Sequence, residues 1–243
     1  MDTVFCIEPC NKTLPCGHHC AGRCGEPCKC PACLAAIKES AEKRIKEIEA
    51  KMADPSTVFR LEELKNSRET KAEYTQVTDR VEKYVQSMHT SIPSVTKIWR
   101  VTNLELEIKF EKAKARAFGS NIDQKFHGTS DAGIDGITRN GFKKPGPPPP
   151  GQRPGMYGQG IYFATDSSKS AQEIYTKGSK KLLLCDVLLG RSMNVEKANN
   201  TLDGKYIRDR EFDSVYAPRG TKASGGVDND EFVIYDPDQA LPR

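Results

Sequence analysis

Long apolar runs are missing from this sequence. No stretch approaches the roughly 18 residues needed to span a bilayer, so no membrane-crossing helix is expected. The opening residues, MDTVFCIEPC, lack the basic start and apolar stretch of a secretory leader. The expectation is a soluble intracellular protein of the nucleus or cytoplasm, with no membrane partner. A large excess of either charge is also lacking. The net charge is +4 over 243 residues, a mildly basic balance that permits nucleic-acid contact without arguing for it. Cysteine is almost absent from the body of the chain. Of nine cysteines only Cys185 lies beyond residue 33, and its place in the apolar run KLLLCDVLLG makes it a core residue.

The first 33 residues hold the other eight cysteines and few large apolar side chains. A reducing compartment favours metal binding over disulfides at that density. The ligand string is Cys6, Cys10, Cys16, His18, Cys20, Cys24, Cys28, Cys30 and Cys33, with His19 adjacent. Thiolate and imidazole at short spacing suit tetrahedral structural zinc, and two ions would use eight ligands. Spacing leaves open which four share each ion. A segment this poor in apolar residues folds as its metal binds.

Residues 34–79 read as a helical linker. Leu34, Ile37, Ala41, Ile45, Ile48 and Met52 recur at spacings of three and four on a charged background. That stripe fits a solvated linker helix, or a short coiled-coil seam for weak self-association. Pro55 ends it. A second helix from about Thr70 carries Tyr74, Val77, Val81, Tyr84, Val85 and Met88 on one face, and SIPS at 91–94 closes it.

From about residue 80 the pattern changes to short apolar runs between long loops. VTKIWRV (95–101), KFHGTS (125–130), IYFA, KLLLCDVLLG and EFVIYD read as strands or strand ends, and NLELEIKFEKAKARA (103–117) as a helix. KKPGPPPPGQRPG (143–155) and YAPRGTKASGGVDND (216–230) are loops, the first because consecutive prolines lack donors. These features give an α+β fold with a largely antiparallel sheet. Three polar residues stand where such strands meet loops: His127 in FHGTS, Tyr162 in GQGIYFA and Glu231 in DNDEFVIYD. By themselves they fit either a satisfied polar cluster in a core or the walls of a pocket.

HGTS, GMYGQGIYFATDSSKS and EFVIYDPDQALPR, in that order and separated by long loops, resemble the catalytic domain of the poly(ADP-ribose) polymerase family, in a tankyrase-like form. The resemblance covers about residues 80–243. It implies the ADP-ribosyltransferase fold, two small, mainly antiparallel sheets around an NAD groove, and transfer of ADP-ribose from NAD to protein acceptors with release of nicotinamide. No GxGxxG follows a strand, in keeping with a groove rather than a dinucleotide-binding loop. The resemblance casts His127, Tyr162 and Glu231 as the catalytic set. It assigns His127 to the adenosine ribose, Gly128 and Ser170 to the nicotinamide amide, and Tyr162 and Tyr175 to its ring, with Thr129 beside them in the NAD site. Glu231 is cast as the group that binds the ribose and orients the acceptor. It permits building of poly(ADP-ribose). The usual second stacking tyrosine is replaced by Glu173, and the chain stops shortly after QALP, where the family usually adds one more strand.

LPCGHHCAGRCGEPCKCPAC resembles the NFX1-type zinc finger. That likeness implies a binding module for nucleic acid or a ubiquitin-conjugating enzyme. It supports a competing reading, a zinc-finger RNA-binding or ubiquitin-ligase-type scaffold whose second domain binds NAD or ADP-ribose without turning it over.

Overall fold

The computed structural model describes residues 8–10, 12–14, 16–22, 30–147 and 155–243. Helix α1 (Pro31–Lys51) opens on Pro31, where a missing N–H costs nothing, and Cys30 caps it by accepting from the Cys33 amide. Its apolar stripe does not stay solvated. Ala41 and Ile48 are buried, and the helix packs along α3 (Leu104–Ala115), with Arg44 facing Glu107 at 3.6 Å. The seam expected for a second copy is therefore covered within the chain.

Two strands follow in an arrangement the sequence shows only in part. β1 (Phe59–Leu64) pairs antiparallel with β2 (Ile98–Asn103), Leu61 opposite Val101. Between them lies α2 (Lys71–Lys83), which ends a turn before the apolar pattern does. The last carbonyls of a helix need donors from outside it. Here the Ser167 hydroxyl donates to Val81 and Tyr84, and the Ser167 amide to Tyr84. Met88 is left exposed.

The remaining elements are β3 (Ile122–Gly128), α4 (Asp131–Asn140), β4 (Ile161–Ala164), α5 (Ser167–Ser170), α6 (Glu173–Thr176), β5 (Leu182–Leu188), β6 (Ser192–Asn194), α7 (Gly204–Arg208), β7 (Ser214–Ala217), β8 (Glu231–Ile234) and β9 (Ala240–Pro242). Their strands form one sheet in the order β6-β7-β8-β4-β3-β5-β9, antiparallel except for β6 and β7. Where two small sheets were expected, β6-β7-β8-β4 and β3-β5-β9 are joined into one. The sheet is narrowest between β3 and β4, where Phe126 opposite Ala164 is the sole registered pair, so two halves meet at a single join. Side chains alternate across it. Leu183, Cys185 and Val187 join Phe142, Ile161, Phe163 and Ile234 in one core, and Val233 turns to a second with Tyr157, Val215 and Tyr235. Cys185 is fully buried, and burial raises its thiol far above the usual range. β9 covers the β5 edge, with Cys185 opposite Pro242. Among the described residues no helix is long and apolar enough to cross a membrane.

Candidate active site and metal cluster

A cavity of about 730 Å³ opens where the two halves of the sheet join. That size lies within the ordinary range for small-molecule sites. His127, Gly128, Tyr162, Ser170, Tyr175 and Glu231 all line it. Residues from five separate elements, β3, β4, α5, α6 and β8, thus meet on one surface. Thr129 is the exception. Its methyl and hydroxyl lie against Gly133, its carbonyl accepts from the Ser179 hydroxyl, and it does not reach the cavity wall.

His127 is packed between Phe142 and Phe163, with ring centroids 5.1 and 5.4 Å away. Its Nδ1 lies 2.9 Å from the Tyr162 carbonyl. A carbonyl only accepts, so Nδ1 carries the proton and Nε2 is left as an acceptor. Burial lowers the His127 pKa below the usual imidazole value, against a smaller opposing effect of that hydrogen bond, so the ring is neutral at pH 7.

Tyr162 is fixed at its tip. Its hydroxyl donates to the Gly158 carbonyl and accepts from the Tyr157 amide, both at 2.9 Å. The glycines before it are required by packing. A Cβ on Gly155 would come within 2.4 Å of the Tyr162 hydroxyl, and Gly158 has a φ of +77° with the Leu202 carbonyl against it. Burial first, then the Glu231 charge, keeps the phenol protonated. Register places Glu231 opposite Ala164, on the same face as Tyr162 two residues earlier.

Lys169 completes the wall and was not singled out by the sequence reading. Its ammonium lies 3.3 Å from Glu231 Oε1 and donates to the Tyr175 hydroxyl at 2.6 Å. Both members of the pair are largely buried, with side-chain exposures of 17% and 14%. Burial pulls the lysine pKa down, but the Tyr175 hydrogen bond and the Glu231 carboxylate outweigh it and leave it raised. The only signal in the sequence is the lysine's place beside Ser170 in SSKSA. Ser170 donates to the Phe126 carbonyl at 3.2 Å, which leaves its lone pairs free.

At the other end of the chain, one donor atom each from Cys16, His18, Cys30 and Cys33 lies within 4.8 Å of the others. Cys16 and Cys30 sulfurs are 3.7 Å apart, as are Cys33 Sγ and His18 Nδ1. A tetrahedron with zinc–sulfur bonds of about 2.3 Å has edges of about 3.8 Å, so the four donors fit zinc. Cys20 is buried outside this set, accepting from the Gly22 amide, and Cys10 also lies outside it. Cys6, Cys24 and Cys28 fall outside the described residues.

Comparison with known proteins agrees with the cavity. Residues 71–243 match the family of the poly(ADP-ribose) polymerase catalytic domain. The chain is similar to human "Poly [ADP-ribose] polymerase 2", 27% identical over 191 residues, which cover 67% of this chain and 32% of that protein. It is also similar to human "Protein mono-ADP-ribosyltransferase PARP14", 27% identical over 139 residues, covering 51% of this chain and 8% of that one. The chain therefore spans about a third or less of the curated relatives it matches. With most of its length matched and the site residues gathered at one cavity, the chain belongs to the poly(ADP-ribose) polymerase catalytic-domain family.

Proposed function

We propose that this protein transfers ADP-ribose from NAD to protein acceptors and releases nicotinamide. The observation that carries the reading is the Glu231 carboxylate, held by Lys169 on the wall of a cavity that also presents His127, Tyr162 and Ser170. NAD is the substrate. Neutral His127 accepts through Nε2 from a hydroxyl of the adenosine ribose. Ser170 accepts from the nicotinamide amide through its lone pairs, beside the Gly128 backbone. Tyr162 and Tyr175 supply ring faces to the nicotinamide. Thr129 supports the site from behind through Gly133.

Breaking the nicotinamide–ribose bond sends its electron pair to the pyridinium nitrogen and leaves positive charge on the ribose. A carboxylate bound to a ribose hydroxyl strengthens its hold as that charge grows, and so lowers the barrier. The acceptor nucleophile then bonds to the ribose carbon, its proton leaving by way of Glu231. The same arrangement accepts a ribose hydroxyl of an earlier ADP-ribose, so elongation into poly(ADP-ribose) is part of the proposal. The tankyrase-like pattern of the motifs supports it.

Cys16, His18, Cys30 and Cys33 hold one structural zinc ion in this reading, and the remaining cysteines of the NFX1-type pattern supply a second. The module then serves as a binding arm for nucleic acid or a ubiquitin-conjugating enzyme, a role tested by salt-dependent nucleic-acid affinity and by ubiquitin transfer. The transferase is tested with labelled NAD, following label on protein and free nicotinamide, beside Glu231→Gln. Label that is lost in the variant is the expected result, with a ladder marking polymer and a single band marking one unit. A wild-type chain that binds NAD and releases no nicotinamide refutes the reading and leaves the scaffold alternative.

A further inference from the structure

Asp166 stands at the N-terminal cap of α5, the short helix that carries Lys169 and Ser170. Aspartate there ordinarily accepts from the backbone of its own helix. This one makes no such bond. Its side chain is 1% exposed, and its two oxygens face outward from the turn: one to Gln86 Nε2 at 3.2 Å, the other to Arg219 Nη2 at 3.2 Å. A buried carboxylate that forgoes its local partner is held for something else.

The second end of the same guanidinium is on Asp230, the residue before Glu231. Arg219 Nε donates to Asp230 at 2.6 Å and its backbone amide at 3.0 Å, while the Tyr216 hydroxyl adds a bond at 2.8 Å. Arg219 lies in the loop between β7 and β8 and is 45% exposed, capping the two carboxylates from the solvent side. One planar fork thus spans two segments that are far apart in the chain. One bears Lys169, the other bears Glu231, and those two side chains are the ion pair at the cavity wall.

We propose that Arg219 is a positioning residue of the transfer reaction, fixing the distance between the turn that carries Lys169 and Ser170 and the strand that begins with Glu231. Arg219 touches neither side chain of that pair and acts through Asp166 and Asp230. A planar two-ended donor suits this, because it fixes the relative geometry of both carboxylates, whereas a lysine ammonium on its flexible stem offers three rotatable donors and leaves that geometry loose. Truncation leaves Asp166 buried without its cation, so the turn and the strand start drift apart. This inference rests on the transferase reading.

The test is nicotinamide release from labelled NAD by the full chain, with kcat and KM resolved, and NAD affinity measured separately by calorimetry. Arg219→Ala is expected to lower kcat by about 10- to 100-fold, the effect of an ångström-scale misplacement, with a smaller loss of NAD affinity through the Ser170 turn. Arg219→Lys keeps the charge and secures a folded variant. It is expected to lower kcat by a smaller factor. In a Glu231→Gln background, adding Arg219→Ala is expected to do little more, because the geometry it maintains no longer serves a carboxylate. A purely structural tie predicts additive losses instead. Unchanged kcat in both Arg219 variants, or a loss confined to KM, or additivity with Glu231→Gln, overturns the proposal. A wild type that binds NAD without releasing nicotinamide overturns the transferase reading itself, and is told apart by the wild-type control.

Discussion

Replacing Gly128 with alanine adds one methyl group at the most crowded point of the site. Gly128 ends β3 opposite Leu182, and its φ is not in the left-handed region, so backbone strain is not the issue. The added Cβ would sit 2.0 Å from the Ser170 carbonyl oxygen and 3.2 Å from Tyr175 Cβ. An ordinary carbon–oxygen approach is about 3.3 Å, so the Ser170 carbonyl must retreat by about 1.3 Å. Because the obstacle is backbone, no rotamer change relieves it. Overpacking of this kind costs about 1–3 kcal/mol, and at about 2–4 °C per kcal/mol for a domain of this size Tm falls by about 2–12 °C. The retreat also displaces Ser170 and Lys169 relative to Glu231, and kcat/KM for NAD is expected to fall by about 100-fold. Thermal melts and nicotinamide-release kinetics measure both. Gly136→Ala is the control. It adds the same methyl on α4, at the same cavity, with no atom within 4 Å, and helix propensity makes it neutral or stabilising by up to about 1 kcal/mol. A Gly128→Ala protein with wild-type Tm and turnover would show that the Ser170 turn is not held against β3 as described.

Lys169→Met removes the cation from Glu231 while keeping the stem. Nicotinamide release is expected to fall at least about tenfold, or 1.4 kcal/mol in barrier, and a variant with full kcat would remove Lys169 from the site's chemistry. Stability should also depend on pH through two histidines. Burial is the main cause lowering the pKa of both His127 and His89. Their neutral forms are favoured in the folded state. Stability is therefore full above the unfolded histidine value of about 6.5 and is lost as pH falls through the depressed folded values, by at most about 1.4 kcal/mol per pH unit for each group. Denaturant titrations between pH 8 and 5 measure the slope, which His89→Gln should reduce. A chelator is expected to remove at least one equivalent of zinc and to fray the start of α1, read by metal analysis and circular dichroism, while the main thermal transition persists. Retention of all bound zinc by Cys16→Ser and Cys33→Ser proteins would reassign the cluster.

The strands bearing the site were legible because each is a short apolar run bounded by turn residues, with His127, Tyr162 or Glu231 as a polar residue within it. Helix α4 was missed because Gly133 and Gly136 weaken its local preference, and only the structure shows that Thr129 leaves no room for a side chain at 133. β1 was missed for a different reason. FRLEEL is half charged, and pairing with β2 across an intervening helix makes it a strand. The α1 stripe was visible, yet its partner was not, since nothing in a heptad-like pattern distinguishes a second copy from α3 sixty residues away. Lys169 and Arg219 stayed hidden on the same ground. Their partners Glu231 and Asp166 lie more than fifty residues off, and a charge near a loop has no periodicity to mark it.

The packing of α1 along α3 also sets a length. A helix of 21 residues spans about 31 Å, with the Cys16–His18–Cys30–Cys33 cluster at one end and its flank fixed to the body that holds the cavity. A module on a flexible tether samples a volume, and its ligand's local concentration at the active groove falls as the tether lengthens. A module on a clamped rod is instead held at one distance and one bearing from that body. The length and packing of the rod thus set where the four donors of the cluster stand relative to the body of the fold.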